Sequence, residues 1–166
     1  MKRCFLVLLA VILCFTFTAC DPSSYQFEYD ELAAKVVRVE LIEYNNPDQR
    51  KFASWVPDHM DDLLPFDRTK ETVLETLEES NFPNLLRQLS RAEILYRYFA
   101  YDSPRGLCVK LTYASGDFLI VSCNSGQYSG YIGSFSKEGE VSEFYGCFSG
   151  YIYFETLVNN FFEMEI

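Results

Sequence analysis

The chain has 166 residues, 49% hydrophobic and 17% aromatic, with 24 acidic residues against 14 basic ones and a net charge of −10. That is enough apolar material for one globular domain and too little length for two large ones. It excludes a disordered chain, a multi-span membrane protein and, through its acidity, a nucleic-acid binder.

The first 19 residues contain no acid, so without them 147 residues remain at a net charge of −12. Lys2 and Arg3 open this leader, and the run of 16 residues from Cys4 to Ala19 has only Thr16 and Thr18 as polar members. It is shorter than a spanning helix and is ended by Asp21 and Pro22, which predicts a secretory signal peptide. Phe17-Thr18-Ala19-Cys20 resembles the lipobox of bacterial lipoproteins, although Phe17 stands where leucine is usual. The resemblance implies cleavage before Cys20 and acylation of that cysteine. The membrane is then the partner through the Cys20 lipid, with the chain facing outside the cytoplasm. Two or three acyl chains hold a protein there stably, whereas one does not. A plain signal peptide ending at an incidental cysteine is the alternative. The expected organisation is a leader over 1–19, an acylated amino terminus and tether over 20–28, and a single domain over 29–166. A tether reaching to Tyr29 would span roughly 30 Å at most, and the acidity of the domain would keep it from lying flat on anionic head groups.

Val36 to Tyr44 alternates Val37, Val39 and Leu41 against Arg38 and Glu40, a period of two that predicts a half-buried strand. Asn45-Asn46-Pro47-Asp48 closes it, and 51–67 reads as irregular with a helical turn over 58–64. Thr69 is read as an N-cap, with Glu71 and Glu75 near the start of a helix that carries Val73, Leu74 and Leu77 on one face. Pro83 suits the first turn of a second helix with Leu85, Leu86 and Leu89 inward. Strands follow over 94–99 and over 107–113. Ser115-Gly116 is read as a two-residue hairpin that sets Tyr113 against Phe118, Leu111 against Ile120 and Cys108 against Cys123, giving one apolar face. Lys137-Glu138-Gly139 suits a type I turn with a glycine bulge between strands 131–135 and 141–145. Phe154, Leu157, Val158, Phe161 and Phe162 recur at helical spacing and close the chain. The predicted fold class is α+β, an antiparallel sheet of about five to six strands with two or three helices packed on one face.

Cys108 and Cys123 are either a disulfide or two buried thiols, and Cys147 is left over. No Cys-x-x-Cys or neighbouring histidine makes a metal site, and Asp58, Asp61 and Asp62 lack the glycine turn and closing glutamate of a calcium loop. No metal or cofactor is expected. His59, with Asp58 or Asp61 to orient it, could serve a small envelope hydrolase, yet no Gly-x-Ser-x-Gly stretch supplies a nucleophile. Glu75, Glu78 and Glu79 read as a wet helix face. The tyrosines crowded into the second half, Tyr113, Tyr128 and Tyr131 among them, suit contact with a protein or a carbohydrate. Trp55, His59, Tyr128 and Tyr131 are the candidate binding surface. The expected function is a lipid-anchored, non-catalytic module that binds a protein or envelope component. A small-ligand carrier is a third class, needing a cavity between sheet and helices.

Overall fold

The computed structural model describes residues 24–45, 65–92, 94–95, 104, 106–123, 129–149 and 151–163. They form an α+β fold with three α-helices and an antiparallel sheet in the order β1-β4-β8-β7-β6-β5-β2-β3. The strands are β1 (Ser24–Tyr25), β2 (Val36–Tyr44), β3 (Glu71–Thr76), β4 (Ile94–Leu95), β5 (Gly106–Tyr113), β6 (Phe118–Cys123), β7 (Ser129–Phe135) and β8 (Val141–Ser149). The helices are α1 (Tyr29–Lys35), α2 (Phe82–Ser90) and α3 (Tyr151–Phe161). Six strands have six residues or more, in line with the expected five to six.

β5 to β8 form a meander because each is joined to the next in sequence and pairs with it. Its turns between β5 and β6 and between β7 and β8 are three-residue loops closed by a glycine. In the β7–β8 turn, the Ser136 amide donates to Glu140 and the Gly139 amide to Ser136, with Gly139 at φ 96°. This is the expected type I turn with a glycine bulge. The β5–β6 turn is built the same way, which corrects the two-residue reading. The Tyr113 amide donates to Asp117, the Gly116 amide donates to Tyr113, and Gly116 sits at φ 93°. Gly116 is therefore the bulge residue, and the register slips by one. Leu111 faces Leu119, Val109 faces Val121 and Cys108 faces Ser122. Residues adjacent along a strand belong to opposite faces, so the slip takes Cys108 out of register with Cys123.

The slip also reassigns the core, because β5 and β6 are apolar on both faces. On one face, Val39, Leu41, Val109, Leu111, Leu119, Val121 and Ile132 pack with Leu32 of α1, Leu85, Leu86 and Leu89 of α2, and Phe154, Leu157 and Val158 of α3. The helices thus share one face, as expected. On the other face, Ile42, Tyr44, Phe66, Cys108, Phe118, Ile120, Tyr131 and Phe135 form a second buried cluster. A sheet covered on both sides needs continuous apolar strands, and Phe118-Leu119-Ile120-Val121 is one such run.

Two expectations of secondary structure are corrected. The segment after Thr69 is the edge strand β3, preceded by a 3₁₀ turn over Arg68–Lys70 that Asp67 caps by accepting from the Thr69 amide. Thr72, Val73 and Thr76 are β-branched, and pairing with β2 outweighs the helical spacing of Val73, Leu74 and Leu77. Val73 and Leu74 are both exposed, which fits an edge strand rather than the inward face of a helix. In β2, a bulge between Val36 and Arg38 turns Val37 outward, 52% exposed, where strict alternation puts it inside.

The chain also enters the fold earlier than Tyr29. β1 pairs with β4, the Gln26 side chain donates to the Ser90 carbonyl, and Phe27 is buried in the helix-side core. Ser24 is only four positions after Cys20 in the sequence. A tether running from Cys20 would then be about 14 Å at full stretch instead of about 30 Å.

Candidate functional site

α1 starts at Tyr29 with Asp30 and Glu31 in its first turn and Lys35 in its last, charges that suit the helix dipole at each end. Its carboxyl end docks on the β5–β6 turn, where the Ala114 amide donates to the Lys35 carbonyl at 3.0 Å. Between them opens a cleft of about 410 Å³ lined by Ala34, Lys35, Tyr113, Ala114, Ser115, Asp117, Ser134, Ser142 and Glu143. The ladder brings these residues together: Tyr113 ends β5, and Ser134 of β7 faces Glu143 of β8.

Burial pushes the Tyr113 hydroxyl up to about 12; a hydrogen bond with Ser134 opposes this, and the charges of Glu31 and Glu143 add to it. Tyr113 is consequently a neutral hydrogen-bonding group rather than a proton shuttle. Asp117 is committed to the turns, accepting from Ser115 Oγ at 2.9 Å and from the Lys137 amide at 3.0 Å. The Lys35 ammonium pairs with Glu31 one turn earlier on α1. Tyr25 of β1, 37% exposed and edge-on to Phe27 at 5.1 Å, adjoins the same charges. Its hydroxyl is raised by burial first, then by Glu143, Glu31 and Glu28.

A second polar group lies on the opposite face of the sheet. Lys110 is 3% exposed along its side chain and donates to Glu71 Oε2 at 2.5 Å, joining β5 to the edge strand across β2. Its ammonium lies 4.7 Å from the Phe118 ring centre and 5.7 Å from that of Phe66, so aromatic faces replace part of the lost water. Glu40, its partner in the β2–β5 ladder, is held by Arg38 at 2.7 Å. Phe66 roofs this group, stacking on Tyr44 at 4.1 Å, while its amide donates to the Gly139 carbonyl at 2.7 Å. Tyr44 contributes its hydroxyl as acceptor for the Asp67 amide at 2.9 Å. The ion pair is enclosed among rings and ties three strands and the segment over 66–70 into one body. Its role is architectural.

Trp55, His59 and Tyr128, together with Cys20 and the acids at Asp58, Asp61 and Asp62, lie outside the described residues. Tyr131 is 3% exposed and belongs to the buried aromatic cluster, so it is corrected from binding surface to core. Its hydroxyl lies where a β-carbon on residue 133 would be, at 2.5 Å, which is why Gly133 follows it two positions on. Of the two alternatives for Cys108, the structure has the buried thiol, in register with Ser122. Its Sγ donates to the Gly106 carbonyl at 3.5 Å, and burial drives its pKa well upward, so it is no nucleophile. Among the described residues, no three His, Cys, Asp or Glu side chains cluster to hold a metal ion. Also among them, no helix is long and apolar enough to cross a membrane.

Of the cleft, Tyr113 belongs to the tyrosine-rich second half and Ser115 to the hairpin signal, both visible in the sequence. Lys35, Asp117, Ser134 and Glu143 carry no local signal; they meet because strands far apart in sequence end at one place. No protein-family model, curated protein or solved structure matches the chain.

Proposed function

We propose that this protein is a lipid-anchored extracytoplasmic lipoprotein whose domain acts as a non-catalytic module, binding a protein or envelope component through the cleft beside Tyr113. The observation that carries the binding role is the character of that cleft. It is concave and rich in hydroxyls, and its one aromatic hydroxyl is held up to about 12, which suits hydrogen bonding and not proton transfer near neutrality. The anchor rests on the apolar leader and on Phe17-Thr18-Ala19-Cys20. The early start of β1 supports a short leash, which would hold the β1 edge near the bilayer. A hydrolase built on His59 draws on residues outside the described ones and is not advanced.

The anchor is tested by fractionating cells that make the wild-type protein or Cys20→Ala. The wild type is expected in the membrane fraction with incorporated fatty acid, and the variant in the soluble fraction without it. Equal fractionation of the two would refute the anchor.

A further inference from the structure

We infer that the groove between α1 and α2 is covered by a second copy of this chain, the two copies being related by a two-fold axis at Pro83. This groove shares no lining residue with the cleft beside Tyr113, and what that cleft binds does not bear on it.

α1 packs beside α2, and between them lies a groove of about 350 Å³. Its floor is the buried pair Val36 and Leu86, and Ala33, Val37, Phe82 and Pro83 wall it. Ala33, Val37 and Pro83 are exposed and Phe82 is half-buried. Single apolar residues on a surface are ordinary, whereas four around one concavity mark a contact site. The bulge in β2 serves the same surface, because it is what turns Val37 outward into the groove.

Charge selects the occupant. Glu79 lines the groove, and its carboxylate has no ion-pair or hydrogen-bond partner among the described residues. Arg87 lies over the ring of Tyr29, another lining residue, at 5.4 Å. Stacking on a ring occupies the flat face of a guanidinium and leaves the N–H groups in its plane to donate elsewhere. The Tyr29 contact is therefore kept on association and holds Arg87 in position beforehand.

Glu79 and Arg87 stand four positions either side of Pro83. A surface that reads acid, proline, base along one element is its own complement once a copy is turned through 180° about the proline. Glu79 then meets Arg87 of the partner subunit, Arg87 meets Glu79 of the partner subunit, and the apolar walls close between the two pairs. Any other partner would have to present the same order reversed, whereas a second copy has it by symmetry. Copies that each carry −12 beyond the leader repel one another at a distance. At physiological ionic strength that field fades beyond about 8 Å, so the pairs formed at contact outlast it.

The test uses the full chain in the cells that make it. Pro83→Cys, and Asn84→Cys at the next exposed position, are treated with a short bis-maleimide and read on a reducing gel. Both are expected to give a band at twice the mass of the chain, at least tenfold stronger than from the wild type, whose own cysteines set the background. Glu138→Cys, on the exposed β7–β8 turn, should give no more than that background. In the Pro83→Cys chain, Glu79→Arg and Arg87→Glu should each cut the yield tenfold or more, because like charges then face one another. Produced together with distinct tags, these two variants should link to each other within twofold of the parent yield, since every pair again joins opposite charges. Glu79 and Arg87 are both exposed, and thermal melts that match the parent identify a lost band as a lost contact. No linked band at either position 83 or 84 would overturn the inference. A yield indifferent to the charge reversals, or one that the mixture fails to restore, would overturn the two-fold pairing, and a band that joins the chain to a different protein would overturn the second copy as occupant.

Discussion

The two faces of the sheet are both buried, yet they are held by different physics. On the helix side the contacts are aliphatic, with Val39, Leu41, Val109, Leu111, Leu119 and Val121 packed on leucines, valine and phenylalanine from three helices. On the opposite side, Phe66, Phe118, Phe135 and Tyr44 stack and tilt against one another around the Lys110–Glu71 ion pair. An aliphatic face tolerates small shifts because its contacts are non-directional. A buried ion pair permits one register only, since a slip by one residue would leave each charge without its partner. The helix face supplies most of the burial, and the aromatic face specifies how β2, β3 and β5 align.

The sharpest way to break this contrast is to remove one charge from the aromatic face. Glu71→Ala strands the buried Lys110 ammonium and is expected to cost about 3 to 4 kcal/mol in urea unfolding. Adding Lys110→Met in that background should restore most of the loss, because no buried charge is then left unpaired; Arg68, which also pairs with Glu71, is exposed to water. A double variant as unstable as the single one would show that the pair contributes more than alignment.

On the helix face, Leu111→Ala is expected to cost about 3 kcal/mol through lost burial and the cavity left behind. No second substitution on that face should rescue it, other than one that refills the volume.

The two hairpin turns give a smaller version of the same comparison. Gly116 and Gly139 have nearly the same left-handed φ, 93° and 96°. A β-carbon on Gly139 would stand 2.2 Å from the Phe66 carbonyl oxygen, whereas one on Gly116 would meet only the Lys137 side chain at 3.3 Å. Gly139→Ala should therefore cost about 2 kcal/mol or more, strain plus displacement of the segment carrying Phe66, against about 1 kcal/mol for Gly116→Ala. Thermal melts of the two variants decide it, and equal losses would mean that the Phe66 contact carries no weight.

The smallest effect expected is on pH dependence. Tyr113 titrates near 12 in the folded protein against an ordinary 10.0, and Cys108 is raised above its ordinary 9.0, both because burial disfavours the charged form. The unfolded chain then loses these protons first as pH rises. Their stabilisation is complete below about pH 9 and declines steadily from there towards pH 12. Melting temperature measured from pH 8 to 11 should fall, and Tyr113→Phe should flatten the decline above pH 10. An unchanged profile in that variant would remove Tyr113 as a contributor.

Much of the architecture was legible before any coordinates. Alternation over 36–44, Pro83 ahead of Leu85, Leu86 and Leu89, the Lys137-Glu138-Gly139 turn and the spacing of Phe154, Leu157 and Val158 each predicted the element found there. These signals are local: period, cap and turn chemistry act within a few residues. Thr69 to Leu77 misled because a six-residue edge strand and one face of a short helix can carry the same apolar spacing, and only pairing with β2 chooses between them. Ser115-Gly116 misled because a two-residue and a three-residue loop can share the same glycine, and the difference of one residue decides which side chains meet.

The amino-acid sequence by itself determined the fold class, the single helix-bearing face and the acidic character of the chain beyond its leader, since all three follow from composition and short-range periodicity. Tertiary structure alone decided that the second face is buried too, that Lys110 finds Glu71 across β2, that Tyr131 is core, and that Tyr113, Ser134 and Glu143 share a cleft. Each of these depends on strand register. Register is set by non-local pairing and by the left-handed glycine of a turn, where one residue more or less moves every partner along the ladder.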